Sequence, residues 1–245
     1  MTDPATTNPI VKHGYSAVPR DSEVLKKHHA KIQSPPKPML VATIPSPTTP
    51  LVDAIKTYAQ QHLPKPTFNH SMRVFYYGRA MQLQHFPDWS FSDETYMLCC
   101  LMHDIGTTPD NLRATLMSFE FYGGMLAYNL LVKEGADKAQ AEAVMEAVVR
   151  HQDVGTVGTI TAVGQLLQLA TIFDNMGGHS ELVHEETIKS VVAEHPRLGW
   201  SKCFHDTIRE ENGLKPWAHT TALGEEDFPN GVLHNKLMAP YDATQ

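Results

Sequence analysis

The chain has 245 residues, 42% of them hydrophobic, which is enough to bury one sizeable core. Twenty basic against 27 acidic side chains leave a net charge of -7, which argues against general attraction to nucleic acid or an anionic membrane and favours a small neutral substrate. Three cysteines, two of them adjacent at Cys99 and Cys100, argue against a disulfide framework; with no leader-like opening and no run near the roughly 18–20 apolar residues that span a bilayer, a cytoplasmic protein is expected.

Residues 1–49 carry SPPKP and TIPSPTTP and no sustained apolar period, so they read as an extended, proline-rich arm that could cover a neighbouring copy in a homo-oligomer. From Pro50 the apolar spacing turns helical. PLVDAIKTYAQQHL, FNHSMRVFYYGRAMQLQHF and SDETYMLCCLMHD predict three helices, with Pro87 and Ser92 as stop and start signals. A loop at GTTPDN follows. SFEFYGGMLAYNLLVKEG, ADKAQAEAVMEAVVRHQD and AVGQLLQLATIFDNMGG come next, the first ended by Gly135 and the third by paired glycines, and then HEETIKSVVAEHP and SKCFHDTIREENG. VGTVGTITA, between helices, could pair briefly as a strand. The segment from KPWAHTT onward reads as an irregular tail, so the fold class is all-α, with one domain over residues 50–245.

Several polar side chains fall where apolar ones are expected. Val163, Leu167, Ala170 and Asp174 share a helix face, so a carboxylate sits on a buried stripe and needs a partner, either a metal or a cation such as Arg73. His103 lies below Tyr96, Cys99 and Cys100, and Asp104 below Met97, Cys100 and Leu101. His70 continues through Val74, Tyr77 and Met81, and His151 follows Val144, Ala147 and Val148. Helices that aim titratable groups into a common core are how bundles build metal sites. Adjacent His103 and Asp104 project about 100° apart on a helix, so they can share an ion only in the wedge between their directions. A second His-Asp pair, His205-Asp206, lies among charged neighbours on an amphipathic helix and reads as a solvated face.

The order NHSMR, LMHDIGT, RHQD and then an aspartate ending a long apolar helix resembles the signature of the HD-domain superfamily, and within it the chain is similar to fungal cyanamide hydratases. The closer match is carried by TFNHSMRVFYYG (67–78), CLMHDIGTT (100–108), MSFEFYGG (117–124), VVRHQDVG (148–155), QLLQLATIFDN (165–175) and KPWAHTT (215–221). It leaves the arm outside. The resemblance implies an HD-domain helical bundle and a metal-dependent hydro-lyase that adds water to cyanamide to form urea. It implies His70, His103, Asp104 and Asp174 as the metal ligands, with Thr107 and Glu120 as pocket residues. Two imidazoles and two carboxylates suit zinc, and also iron or manganese; one Zn2+ per chain is the expectation.

A nitrile carbon is sluggish toward water at neutral pH, so the reaction needs an activated water and a proton source for the nitrile nitrogen. His151 is the candidate shuttle at the substrate, Glu120 is the alternative, and Asp104 acts beside them through the metal. Three rival readings remain. A phosphohydrolase acting on nucleotides would want several basic residues near the metal, yet between Asp104 and Lys133 only Arg113 is basic. A non-catalytic module could keep a closed structural zinc, since four protein ligands are typical there. A hydratase of another small nitrile or isonitrile would use the same groups.

Overall fold

The computed structural model describes residues 8–28 and 34–242; residues 1–7, on which most of the leader reading rests, lie outside the described residues. The chain runs through α1 (Pro9–Lys12), β1 (Ala17–Pro19), α2 (Ser22–His28), α3 (Pro50–His62), α4 (Lys65–His85), α5 (Asp93–Met102), α6 (Pro109–Arg113), α7 (Phe119–Lys133), α8 (Lys138–Arg150), β2 (Thr159–Thr161), α9 (Ala162–Met176), α10 (Glu185–Glu194), α11 (Trp200–Leu214) and α12 (Asp227–Leu233). Among the described residues the fold is all-α apart from one short pair of strands.

Local chemistry sets the main helix starts. The hydroxyls of Thr49, Ser92 and Thr161 and the carboxylate of Asp137 each accept a hydrogen bond from an otherwise orphaned backbone N–H, at Val52, Thr95, Gly164 and Gln140. Gly177 ends α9 in the left-handed region at φ 71°, where a side chain would be strained.

Helix α4 lies against α5, α9, α10 and α11, and α7 packs along α8. Nearly all of α4 between Thr67 and Gln82 is buried, including two arginines, so both must be paired. Arg73 meets Asp174 on α9, and Arg79 meets Asp93 at 3.0 Å. Gly78 allows α5 its close approach, because a Cβ there would lie 1.7 Å from the Tyr96 hydroxyl oxygen. That hydroxyl donates to the Val74 carbonyl at 3.1 Å.

The segment before Pro50 is part of the same packing. β1 pairs antiparallel with β2, Val18 opposite Ile160, so the VGTVGTITA stretch does form a strand and ties the arm to the entrance of α9. Val18, Leu25 and Ile44 are buried in the main core. Further along, the Met39 and Val41 N–H groups donate to the hydroxyls of Thr187 and Ser190 on α10.

Two short helices differ from the sequence reading. The GTTPDN stretch expected as a loop opens α6, because Thr108 caps and Pro109 takes the first helical position, where its missing N–H costs nothing. DFPNG, within the stretch read as an irregular tail, begins α12. Pro229 lies in the first turn, and Phe228 and Val232 gain burial against Trp200, Phe204 and Ile208 of α11.

Gly78→Ala should therefore cost about 1–3 kcal/mol by overpacking. Gly213→Ala, where the new Cβ meets nothing within 4 Å, should be neutral or stabilising by up to about 1 kcal/mol. Paired thermal melts check both signs.

Candidate metal centre

Three helices deliver imidazoles to one buried point, and two of them use the same device. His103 and His151 are the residues just past α5 and α8, and each ring turns back so that Nδ1 donates to a carbonyl three residues earlier: Cys100 at 2.8 Å and Val148 at 2.6 Å. A carbonyl only accepts, so the ring proton sits on Nδ1 and the Nε2 lone pair faces inward. His70, early in α4, does the same against a carboxylate, its Nδ1 donating to Asp174 Oδ2 at 2.6 Å.

Asp104 is the common target. Its Oδ2 lies 3.3 Å from His103 Nε2 and 3.6 Å from His70 Nε2, and its Oδ1 lies 3.7 Å from His151 Nε2. His70 Nε2 and His103 Nε2 are 3.1 Å apart. Two inward lone pairs that close repel unless a cation shares the space. Both Asp104 oxygens and His151 Nε2 are buried without a protein hydrogen-bond partner. Bonds of about 2.0–2.2 Å in a tetrahedral shell set neighbouring donors about 3.3–3.6 Å apart, and the edges here are of that size. His70, His103 and Asp104 thus fit a divalent cation, with their donor atoms all within 4.8 Å of one another, and His151 stands next to them.

The HD domain family matches residues 67–216, more than half of the chain and all four of these side chains. The chain belongs to the HD-domain family. It is also 40% identical over 225 residues to cyanamide hydratase DDI2 of Saccharomyces cerevisiae, a match covering 91% of this chain and 97% of that protein. Cyanamide hydratase DDI3 of the same yeast matches equally.

The HD dipeptide itself, His103-Asp104, is placed by the end of α5 and the short 3-10 turn at 105–107. Thr107 closes that turn: its N–H and its hydroxyl both donate to the Asp104 carbonyl, at 2.9 and 2.7 Å. Its hydroxyl, expected at the substrate, is thus engaged in the turn. Gly106 lets the turn lie against the start of α7, where a Cβ would come within 2.0 Å of the Phe119 carbonyl oxygen.

Asp174, expected as a fourth ligand, does not join the converging group. Arg73 Nη2 donates to its Oδ2 at 2.8 Å, and Arg197 Nη1 donates to its Oδ1 at 2.7 Å. Burial opposes the Asp174 charge, but Arg73 and Arg197 outweigh it and hold the carboxyl well below the usual range. Asp174 thus anchors His70 from behind. Arg197 is itself fixed by Asp242 at 2.9 Å, and the Trp200 ring stacks on the His70 ring at 4.2 Å. Arg197, Trp200 and Asp242 carry no motif or period in the sequence that would mark them.

Burial lowers the His70 pKa to about 4 against the pull of Asp174, so the ring is neutral near pH 7. Burial likewise lowers His151. For His103 burial pulls down, but the adjacent Asp104 carboxylate carries it above its ordinary value. A divalent cation would take over that positive charge.

Glu120, on the first turn of α7, is fully buried; its Oε1 accepts from His219 Nδ1 at 2.7 Å and its Oε2 has no partner. A small cavity borders His151, lined also by Gln152, Thr171, Asn175, Leu223 and Phe228, with about 20 Å³ of room for the centre of a water-sized molecule. Thr171 is one turn before Asp174 on α9, and the sequence reading passed over it because a lone threonine in QLLQLATIFDN looks like core filler.

Two measurements follow. Asp174→Asn removes the anchor of His70, and metal affinity should fall about 10–100-fold, as for other partners that orient a ligand; competition with a chromogenic chelator reads it. Metal-free protein should also lose stability in acid. The imidazoles of His70 and His195 are held at about 4 in the fold by burial, against 6.5 when unfolded, so the unfolded chain binds protons first. Their contribution is complete above pH 6.5 and is lost as pH falls toward 4. A thermal midpoint that stays flat across that window would refute it, and His195→Gln should shallow the fall.

Proposed function

We infer that this protein is a cyanamide hydratase, adding water to the nitrile carbon of cyanamide to form urea. The observation that carries this reading is the placement of an unpaired, buried Asp104 among three inward imidazole nitrogens, beside a cavity of water-sized dimensions. The likeness to the two yeast cyanamide hydratases over nearly the whole chain supports it.

In this reading His70, His103 and Asp104 hold a divalent cation, His151 completes the donor set, and Asp174 orients His70. We propose zinc as the ion, because an imidazole-rich shell with one carboxylate suits it. When bound, the cation supplies Lewis-acid activation of water at neutral pH. The chain's own residues do the rest. Addition breaks a water O–H bond, forms C–O at the nitrile carbon and places a proton on the nitrile nitrogen; the isourea then shifts its hydroxyl proton to nitrogen. Outside the donor set, Glu120 is a buried carboxylate with a free oxygen for the proton taken from water. His151 and Thr171 both border the cavity, which has room for little more than a water-sized molecule.

Phosphate recognition finds less support. Arg73 and Arg197, the guanidinium groups near the centre, are both committed to Asp174, and Arg113 pairs with Glu210. Among the described residues no helix is long and apolar enough to cross a membrane. We propose a cytoplasmic protein that self-associates, which light scattering tests.

The deciding experiment follows cyanamide loss and urea appearance with metal-replete protein. Wild type should form urea with one zinc per chain by elemental analysis, and His103→Ala should lose both metal and activity. Phosphate release from a nucleotide panel, with no urea formed, would overturn the assignment.

A further inference from the structure

We propose that His219 and Glu120 form a proton relay linking solvent to the buried centre, with His219 as its solvent-side positioning member. This rests on the hydratase reading. Glu120 has no exposed surface, while the His219 side chain keeps 29% of its own, so the 2.7 Å bond between His219 Nδ1 and Glu120 Oε1 crosses from the protein's interior to its surface. The inner end is open: Glu120 Oε2 is buried without a partner. Glu120 stands close enough to the metal centre for its charge to act on His151, and the preceding Phe119 ring lies against the His151 ring at 5.5 Å. The outer end is fixed. The His219 N–H donates to Ser118 Oγ at 2.9 Å, and its ring stacks on the exposed ring of Phe121.

The charges around His219 favour its protonated form. Its bond to Glu120 raises its pKa above the ordinary value, and Asp153 and Glu211 act in the same sense. Glu211 is itself occupied, accepting from the Phe119 N–H at 2.7 Å and the Thr220 hydroxyl at 2.9 Å, with Lys215 at 3.7 Å. In the relay the pair works as an imidazolium facing a carboxylate, an arrangement that the His219–Glu120 bond favours.

Hydration of a nitrile consumes no net proton, but it takes one from water before it returns one to nitrogen. When Glu120 accepts that proton at Oε2, the charge holding the proton on His219 is cancelled, and the imidazolium releases one to solvent from Nε2. When Glu120 gives its proton up, His219 regains one. The Glu120–His219 pair thus stays neutral in both states, so neither side chain leaves an uncompensated charge of its own in the interior.

His219→Asn tests the relay, because its amide can donate to Glu120 but cannot carry a proton. In dilute buffer its kcat should fall about tenfold or more with KM within about twofold, unchanged metal content and an unchanged thermal midpoint. Added imidazole should restore the rate. A variant as fast as wild type in dilute buffer, or a deficit that imidazole does not repair, overturns the relay alone. Absence of urea formation by the wild type would instead overturn the hydratase reading and the relay with it. Independently of turnover, NMR titration of the His219 ring should show its midpoint falling toward the ordinary value of about 6.5 in Glu120→Gln; an unmoved midpoint would also overturn the proposal.

Discussion

The carboxylate of Asp104 is sealed from water with neither oxygen bonded to a protein donor, and an isolated charge in that state costs several kcal/mol unless a cation shares its space. Three imidazole nitrogens surround it at 3.3 to 3.7 Å, each with its proton turned outward to a fixed acceptor. Such an arrangement is stable only when something positive sits inside it. The rest of the molecule is organised to keep those side chains from relaxing toward one another.

Helix ends provide most of that rigidity. His103 and His151 each satisfy one of the last carbonyls of their helix, so the interaction that ends the helix also sets the ring orientation. His70 has no helix end to use. Its place in the interior of α4 is secured by Asp174, and Asp174 by two guanidinium groups from different parts of the chain. Removing either arginine would leave a charge uncompensated in the core, so this brace is stiff by necessity.

How much of this could be read from residue order depends on whether a side chain announces itself through its own neighbours. His70, His103 and Asp104 do, because each interrupts an apolar face at helical spacing. Asp174 announces itself as a buried carboxylate in need of a partner, but the choice between metal and arginine rests on Arg197, which sits between helices where no periodicity applies. His151 was legible as a helix-end histidine; that one nitrogen caps while the other faces the centre is visible only in three dimensions. Glu120 follows the same pattern, since its sequence context gives a helix start and its partner lies on a segment without regular spacing. The long helices were plain from periodicity, whereas α6 and α12 were masked by proline, asparagine and glycine, residues that usually mark turns.

The brace behind His70 draws on α4, α9, the approach to α11 and, through Asp242, the tail. Contacts between such distant stretches of chain close late in folding, because each requires a large loop to be ordered first. A partly folded chain would offer its histidines on separate, unbraced helices, with weak and unselective affinity for ions. The His70–His103–Asp104 cluster is therefore complete only in a molecule that has docked its far end, which ties any capture of a divalent ion to the finished fold.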